Sequence, residues 1–268
     1  MFLPASTDRK EAGFTLVELV VVIVLMGILA VGTVQFIGDS SNGYAATARR
    51  TEIGSGAQLA LERMARELRD ALPNSIRVGG ECVEFIPVVA ASTYLELPVA
   101  IAATSFTAVP LEPGYLNAGE RVAVYPDAAA DLYNLSTPGS ISPPVNISAP
   151  DVNNIVTLTF TSAHQFRAES PQDRFFLIQQ PVSFCLDGGR LWRYQQYGFL
   201  AVQPAPAGLP AGLPGRALIG EGVSSPSQAF TYTGATLTRN GLVRIDLDFS
   251  VSSDRVHLNH TVQLRNVP

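Results

Sequence analysis

Acidic and histidine side chains near the C-terminus are the first residues whose spacing suggests catalysis or metal binding. Asp246 and Asp248 lie two apart, so on a strand their carboxylates share a face and could act as a paired acid and base. Arg244 lies on the same face, which favours an ordinary solvent-exposed polar surface of a sheet. His257 and His260 are three apart, and on a strand that spacing directs them to opposite faces. We therefore predict no metal site at this pair.

No other catalytic or cofactor-binding pattern is present in the sequence. The His-Glu-x-x-His, Cys-x-x-Cys, Gly-x-Ser-x-Gly and Gly-x-Gly-x-x-Gly patterns are all missing. Lys10 is the only lysine, so the chain beyond it cannot supply a Schiff-base or phosphate-binding lysine. A net charge of −5 without a basic run argues against a nucleic-acid partner. We expect a protein that is not an enzyme and that binds no cofactor.

A single carboxylate, Glu18, precedes an almost unbroken apolar run that extends from Leu19 to Val34. The span 14–37 would be about 36 Å long as a helix, at about 1.5 Å per residue, which is enough to cross a bilayer. A charge at that depth is costly unless it has a partner. The sequence therefore predicts a transmembrane helix over 14–37, and the favoured partner of Glu18 is the amine of a cleaved N-terminus.

Residues 13–18 read Gly-Phe-Thr-Leu-Val-Glu and follow a short polar leader. They resemble the class III signal of type IV pilins and pseudopilins. The resemblance implies that a prepilin peptidase cuts between Gly13 and Phe14, that Phe14 is then methylated, and that Glu18 pairs with the new N-terminal amine during filament assembly. An uncleaved signal anchor is the alternative, and it leaves Glu18 without an obvious partner. Gln35 stands where many major pilins carry a proline, which favours a minor component.

The charges before the apolar run predict the topology of the chain. Arg9 and Lys10 are the positive residues there, so the N-terminus should start in the cytoplasm and the remainder should be periplasmic. Cys82 and Cys185 are the two cysteines, and an even count in a periplasmic domain predicts one disulfide between them. Two buried free thiols are the alternative.

Hydrophobic periodicity predicts a helix followed by strands. Glycines and small polar residues at 38–43 indicate a weak point or bend in the helix, and Pro73 is expected to stop it. The apolar stripe of its second half comprises Leu61, Met64, Leu68 and Leu72. Beyond Pro73 the period changes to two, and strands are predicted at 81–88, 93–97, 121–125, 155–160, 175–179, 182–186, 191–194, 242–250 and 256–264.

Turn and loop signals complete the predicted organisation. Asp187-Gly188 predicts a hairpin, and the segments 136–150 and 203–215 are rich enough in proline and small residues to be loops. In the last strand pair, alternate residues from Val243 to Phe249 share one face, as do those from Val256 to Leu264. The predicted fold is α+β: a long pilin-like N-terminal helix, half transmembrane and half amphipathic, packed on antiparallel β-sheet.

The predicted segments are a leader peptide at 1–13, a transmembrane and assembly helix at 14–37, the amphipathic half of the helix at 38–73, and a periplasmic β-rich domain at 74–268. Residues 61–77 resemble the post-membrane helix of large minor pilins related to the pseudopilin J group. Residues 82–88 and 185–194 resemble MshO-type minor pilins of the mannose-sensitive haemagglutinin (MSHA) pilus.

These resemblances imply a minor pilin in a tip or initiation complex. Its partners would be other minor and major pilins, the prepilin peptidase and the inner-membrane assembly platform, and it would move from the inner membrane into the pilus. Three alternatives remain: a J-like pseudopilin of type II secretion, a membrane-anchored enzyme, and a tip adhesin. The adhesin would bind surface glycan through the 203–215 loop or through aromatics such as Tyr194, Tyr197 and Phe199.

Overall fold

The structure is a computed structural model that describes residues 15–111, 120–127, 129–236, 239–252 and 254–264. The chain divides into two compact units, residues 1–49 and residues 50–268. Its helices are α1 (Leu16–Arg69) and the short α2 (Ala129–Tyr133). Its strands are β1 (Arg77–Gly79), β2 (Cys82–Phe85), β3 (Val88–Glu96), β4 (Ala103–Ala108), β5 (Arg121–Val124), β6 (Ile141–Ile147), β7 (Val156–His164), β8 (Arg174–Ile178), β9 (Val182–Asp187), β10 (Arg190–Tyr194), β11 (Arg216–Glu221), β12 (Val223–Ser224), β13 (Phe230–Thr233), β14 (Leu242–Val251) and β15 (Asp254–Gln263).

The first unit contributes the apolar part of α1. Its large apolar side chains, from Leu16 to Ile37, are exposed, and this part of the helix is long and apolar enough to cross a membrane. The backbone stays helical through 38–43, where the sequence predicted a weak point. Helical hydrogen bonding therefore continues through the two glycines of this segment despite their low helix propensity.

The end of α1 differs from the prediction by about one turn. The sequence placed the stop at Pro73, but the helix ends at Arg69. The amide of Leu72 donates to the carbonyl of Ile86 at 2.8 Å, and Ala71 forms a bridge with Pro87. The residue that precedes a proline rarely adopts the helical conformation, and Leu72 precedes Pro73. The helix therefore ends before Leu72, and the chain pairs with the connection between β2 and β3 instead.

Two antiparallel sheets cover the part of α1 that belongs to the second unit. One has the strand order β1-β2-β9-β10-β11, and in the other β14 pairs with β15 along one edge and with β12 and β13 along the opposite edge. We call them together the helix-covering sheets. Their shared core contains the helix residues Ile53, Ala57, Ala60, Leu61, Met64, Ala65 and Leu68. The predicted apolar stripe is thus buried, as an amphipathic helix requires.

A closed antiparallel barrel is inserted between β2 and β9. Its strand order is β3-β4-β7-β6-β5-β8, and β8 returns to pair with β3. Its interior is rich in aromatic side chains, with Phe106 packed against Phe160, Phe166 and Phe175 at centroid distances of 5.5–6.3 Å. The sequence predicted antiparallel sheet in general but did not predict closure, because closure depends on which distant strands pair.

The segment 136–150 is not wholly a loop, contrary to the prediction. Residues 141–147 form β6, which contains Pro143 and Pro144. Pairing of β6 with β7 begins only at Val145, and its pairing with β5 shifts register. Prolines are tolerated where a strand is irregular or lacks a neighbour, so this strand accepts them. The 203–215 segment does lack strands, and the hairpin after β9 turns through Gly188 and Gly189, both with positive φ.

Candidate assembly site, disulfide and polar clusters

Glu18 closes a capping box at the start of α1. Its Oε2 accepts from the amide and the hydroxyl of Thr15, both at 3.1 Å, while the amide of Glu18 donates to Thr15 Oγ1 at 3.3 Å. A Thr-x-x-Glu sequence satisfies two of the otherwise unpaired amides of a helix N-terminus in this way. Residues 15–18 therefore form the first turn of α1 and also define its N-terminal end.

This geometry changes one argument made from the sequence. An uncleaved anchor was expected to leave Glu18 without a partner, yet Thr15 provides one within the same turn. The cap and an amine partner are compatible, because both draw on the same carboxylate at the positive end of the helix dipole. Gly13 and Phe14, the predicted cleavage and methylation residues, lie outside the described residues.

Asp246 and Asp248 do not lie on a solvent-exposed polar face, contrary to the prediction. Their side chains are 10% and 2% exposed. His257 on β15 stands opposite Asp248, and its Nδ1 lies 3.0 Å from Asp248 Oδ1 while its Nε2 lies 3.5 Å from Asp246 Oδ1. The cross-strand neighbours cover the two carboxylates, which explains their burial.

Arginines neutralise this cluster. Arg255 forms an ion pair with Asp248, and Arg244 Nη2 donates to Asp246 Oδ2 at 3.0 Å. The hydrogen bond from Arg255 lowers the pKa of Asp248. Among the described residues, no group of three or more His, Cys, Asp and Glu is placed to hold a metal ion. His257 and His260 do face opposite sides of β15, so that prediction is confirmed.

A disulfide joins Cys82 to Cys185, as predicted. The two residues are directly opposite on β2 and β9, with a Cα–Cα distance of 4.1 Å. Glu81 and Leu186, the adjacent pair, share a backbone hydrogen bond, so the cysteines occupy a pair without one, where strands approach most closely. The bond ties β2 to β9 on both sides of the inserted barrel, across a sequence separation of 103.

The proline-rich loop after β10 covers this disulfide. Leu209 is buried against Cys82, Cys185 and Tyr194, and Gln203 Nε2 donates to the Cys82 carbonyl at 3.3 Å. Of the aromatics considered for glycan binding, Tyr194 is buried, while Tyr197 and Phe199 are partly buried. Among the large apolar side chains of the loop, Val202 and Leu213 are the most exposed.

A buried carboxylate that sequence analysis missed lies beneath the same loop. Glu84 on β2 is fully buried and pairs with Arg77, and the Tyr197 hydroxyl donates to Glu84 Oε1 at 3.0 Å. Burial raises the pKa of Glu84, although the Arg77 hydrogen bond and charge act in the opposite direction. Arg77 also donates to the carbonyls of Leu200 and Ala201. The network therefore fixes the loop to the sheet. In the sequence, the only feature that could have indicated a buried Glu84 is the alternation of residues 81–88.

Comparison with known proteins identifies one feature of the chain. Residues 8–34 match a family described as the prokaryotic N-terminal methylation motif. The match covers the predicted cleavage residues, Glu18 and the whole apolar run from Leu19 to Val34. No curated protein matches the chain. No solved structure matches it either.

Proposed function

We propose that this chain is a minor type IV pilin that acts in pilus assembly or at the pilus tip, with the MSHA pilus as the favoured system. The observation that carries the proposal is the methylation motif at 8–34, which coincides with an exposed apolar helix capped by Glu18. The β-rich unit that follows is large and contains a separate barrel, which suits a component present in few copies. Its role is structural, and no catalytic group is assigned.

Its partners in this proposal are the prepilin peptidase, other minor and major pilins, and the inner-membrane assembly platform. The chain would be held in the inner membrane by α1, with the β-rich unit in the periplasm. The disulfide supports an oxidising location for that unit. Type II secretion is the second candidate, because a J-like pseudopilin would share the motif and the helix; pilins or secretion pseudopilins that co-purify with the chain separate the two systems.

Processing is the direct test of this proposal. We expect the intact mass of the protein from its native membrane to begin at Phe14 and to carry one added methyl group. Gly13→Asp should leave a precursor longer by residues 1–13, because the peptidase must fit a residue without a side chain at the cut. A mature mass that begins at Met1 would contradict the proposal.

The role of the Glu18 charge in assembly can be separated from the role of Glu18 as a helix cap. Glu18→Gln keeps the capping acceptor but removes the charge, whereas Thr15→Val removes the cap and keeps the carboxylate. We expect both variants to be inserted and cut, and only Glu18→Gln to lose its association with other pilins, because an amine loses its countercharge. Equal loss in both variants would show that the cap, and not the charge, matters.

A further inference from the structure

The sheet edges of this molecule are unequal. The barrel is closed and has no edge. In the helix-covering sheets, three edge strands are only two to four residues long (β1, β12 and β13), and β11 pairs with β10 through a register shift. β15 differs, with ten residues paired to β14 in one unbroken register. Short or bulged edges discourage association with another chain, and β15 has neither protection.

The backbone groups on the free side of β15 can be identified from the register. The amide of Leu264 donates to the Gly241 carbonyl, so alternate residues from Leu264 back to Asp254 bond to β14. The other set therefore points its amides and carbonyls away from β14: Arg255, His257, Asn259, Thr261 and Gln263. Within the described chain, no backbone or side-chain group bonds to the main chain of these five residues. They offer a row of donors and acceptors about 27 Å long.

The side chains at this edge show what an added strand would contain. Val256, Leu258 and His260 point toward the helix-facing core but are only partly buried, because the sheet stops beside them. On the opposite face Arg255 and His257 are paired with Asp248, and Asn259, Thr261 and Gln263 are exposed and uncharged. A strand that continued the sheet would therefore place apolar residues beside Val256 and Leu258 and uncharged polar residues on the outer face.

We propose that β15 is a docking edge that accepts one strand from a neighbouring pilin-like subunit, with alternating apolar and uncharged polar residues. The added strand hydrogen-bonds to the five outward-facing residues and completes the margin of the helix-facing core. Recognition is by main-chain hydrogen bonds together with burial of the apolar row, as in other cases of β-strand addition. This inference rests on the proposed function, because it takes the partner from the same assembly.

A second copy of this chain could complete the backbone hydrogen bonds of β15, but not in the orientation that a filament requires. Antiparallel pairing of two β15 strands about Asn259 would place Arg255 opposite Gln263 and His257 opposite Thr261, without a charge conflict. The two-fold axis of such a pair is normal to the sheet, and residues 53–68 of α1 pack on the face of that sheet. Rotation about this axis reverses residues 53–68 in one copy relative to the other, whereas the neighbouring subunits of the proposed filament all point the same way. The proposal therefore takes a different subunit as the occupant of the edge.

The test uses a proline at an outward-facing position. Thr261→Pro removes a free amide and leaves the β14 ladder intact, since the Thr261 amide does not bond to β14. The matched control is Leu218→Pro on β11, where the register again directs the amide away from the neighbouring strand. Each full-length variant is expressed with the pilins of its own system, solubilised from the membrane and captured through a tag. We expect Thr261→Pro to lose the co-purifying pilins and Leu218→Pro to keep them, with melting temperatures close to that of the wild type.

Hydrogen exchange of the backbone amides tests the proposal on the wild-type chain, without any variant. We expect exchange over 255–263 to be slower in native membranes than in the isolated chain, with no such change over 216–221. Unchanged exchange over 255–263, or retention of pilins by Thr261→Pro, would overturn the proposal. A disulfide between two copies of an Asn259→Cys variant would also overturn it. Correct cleavage after Gly13 combined with unprotected β15 would reject only this inference and leave the proposed function standing.

Discussion

The barrel and the helix-covering sheets bury their apolar surfaces in different ways. Every barrel strand has a neighbour on both sides, and the aromatic side chains of Phe106, Phe160, Phe166 and Phe175 fill the interior. The helix-covering sheets need α1 to complete their core and leave β15 open along one edge. The difference supports the docking edge proposed above: a closed barrel has no edge strand to offer, whereas the helix-covering sheets, within the described residues, leave β15 unpaired along one side.

Loss of the disulfide should have the largest effect on this arrangement, because it joins the two strands between which the barrel is inserted. The chain-entropy model gives about 4–5 kcal/mol for a closed loop of this length, as an upper guide. Domains have only about 5–15 kcal/mol in total. We expect Cys82→Ser and Cys185→Ser each to lower the melting temperature of the full chain in detergent by many degrees, measured by thermal unfolding.

The double variant is the control for this prediction. Because each single substitution already removes the one bond, the double variant should melt close to either single variant. Labelling of the unreduced, unfolded wild-type protein should find no free thiol. Two labelled thiols in protein taken from its native membrane would show that the bond does not form there.

Truncation of a buried helix residue should show that the sheets depend on α1. Leu68 is fully buried, and Leu68→Ala is expected to cost about 2–5 kcal/mol through lost contacts and a cavity. Leu59 lies on the same helix but is 66% exposed, so Leu59→Ala should change the free energy of unfolding by less than about 0.5 kcal/mol. Denaturant unfolding measures both. Equal losses would mean that the helix is held by something other than its buried stripe.

The smallest expected effect is a loss of barrel stability at acidic pH. His164 is buried beside Phe166 and Phe160, and its Nδ1 lies 3.2 Å from Thr137 Oγ1. Burial lowers the pKa of His164, and the charge of Arg121 acts in the same direction. As the pH falls below about 6.5, the unfolded chain takes up a proton that the folded barrel resists, so stability declines toward the folded-state pKa.

A substitution isolates this contribution. His164→Gln retains a hydrogen-bonding group for Thr137 but cannot be protonated in this range. We expect the variant to lose less stability than the wild type between pH 7 and pH 5, as measured by denaturant unfolding at each pH. An identical decline in both proteins would assign the acid sensitivity to other groups.

Local patterns in the sequence were sufficient for part of this structure. The alternation at 242–250 and 256–264 predicted β14 and β15 and their apolar faces, although not the burial of Asp246 and Asp248 on the other face of β14. The leader pattern agrees with the methylation motif at 8–34. The disulfide followed from the number of cysteines and the expected compartment. These features depend on neighbouring residues or on composition, which a single sequence displays.

Features that depend on distant partners were not predictable. Closure of the barrel requires β3 to pair with both β4 and β8, and nothing in the local pattern of residues 88–96 selects those strands. The two prolines of β6 made the segment look like a loop in the sequence; they precede its pairing with β7 and lie where its register with β5 shifts. Burial of Asp248 had a usable signal that was missed: the register that pairs Val251 with Asp254 places His257 opposite Asp248.

The site at which the barrel is inserted has a consequence for the entropy of sheet closure. The chain leaves the sheet at Phe85 and returns at Val182, and these two residues are directly paired. The whole segment between them therefore takes the place of a hairpin loop, and its length has only a weak effect on the entropy of closure. The bond between Cys82 and Cys185 lies on the sheet side of Phe85 and Val182, so it holds β2 and β9 in register across that long connection.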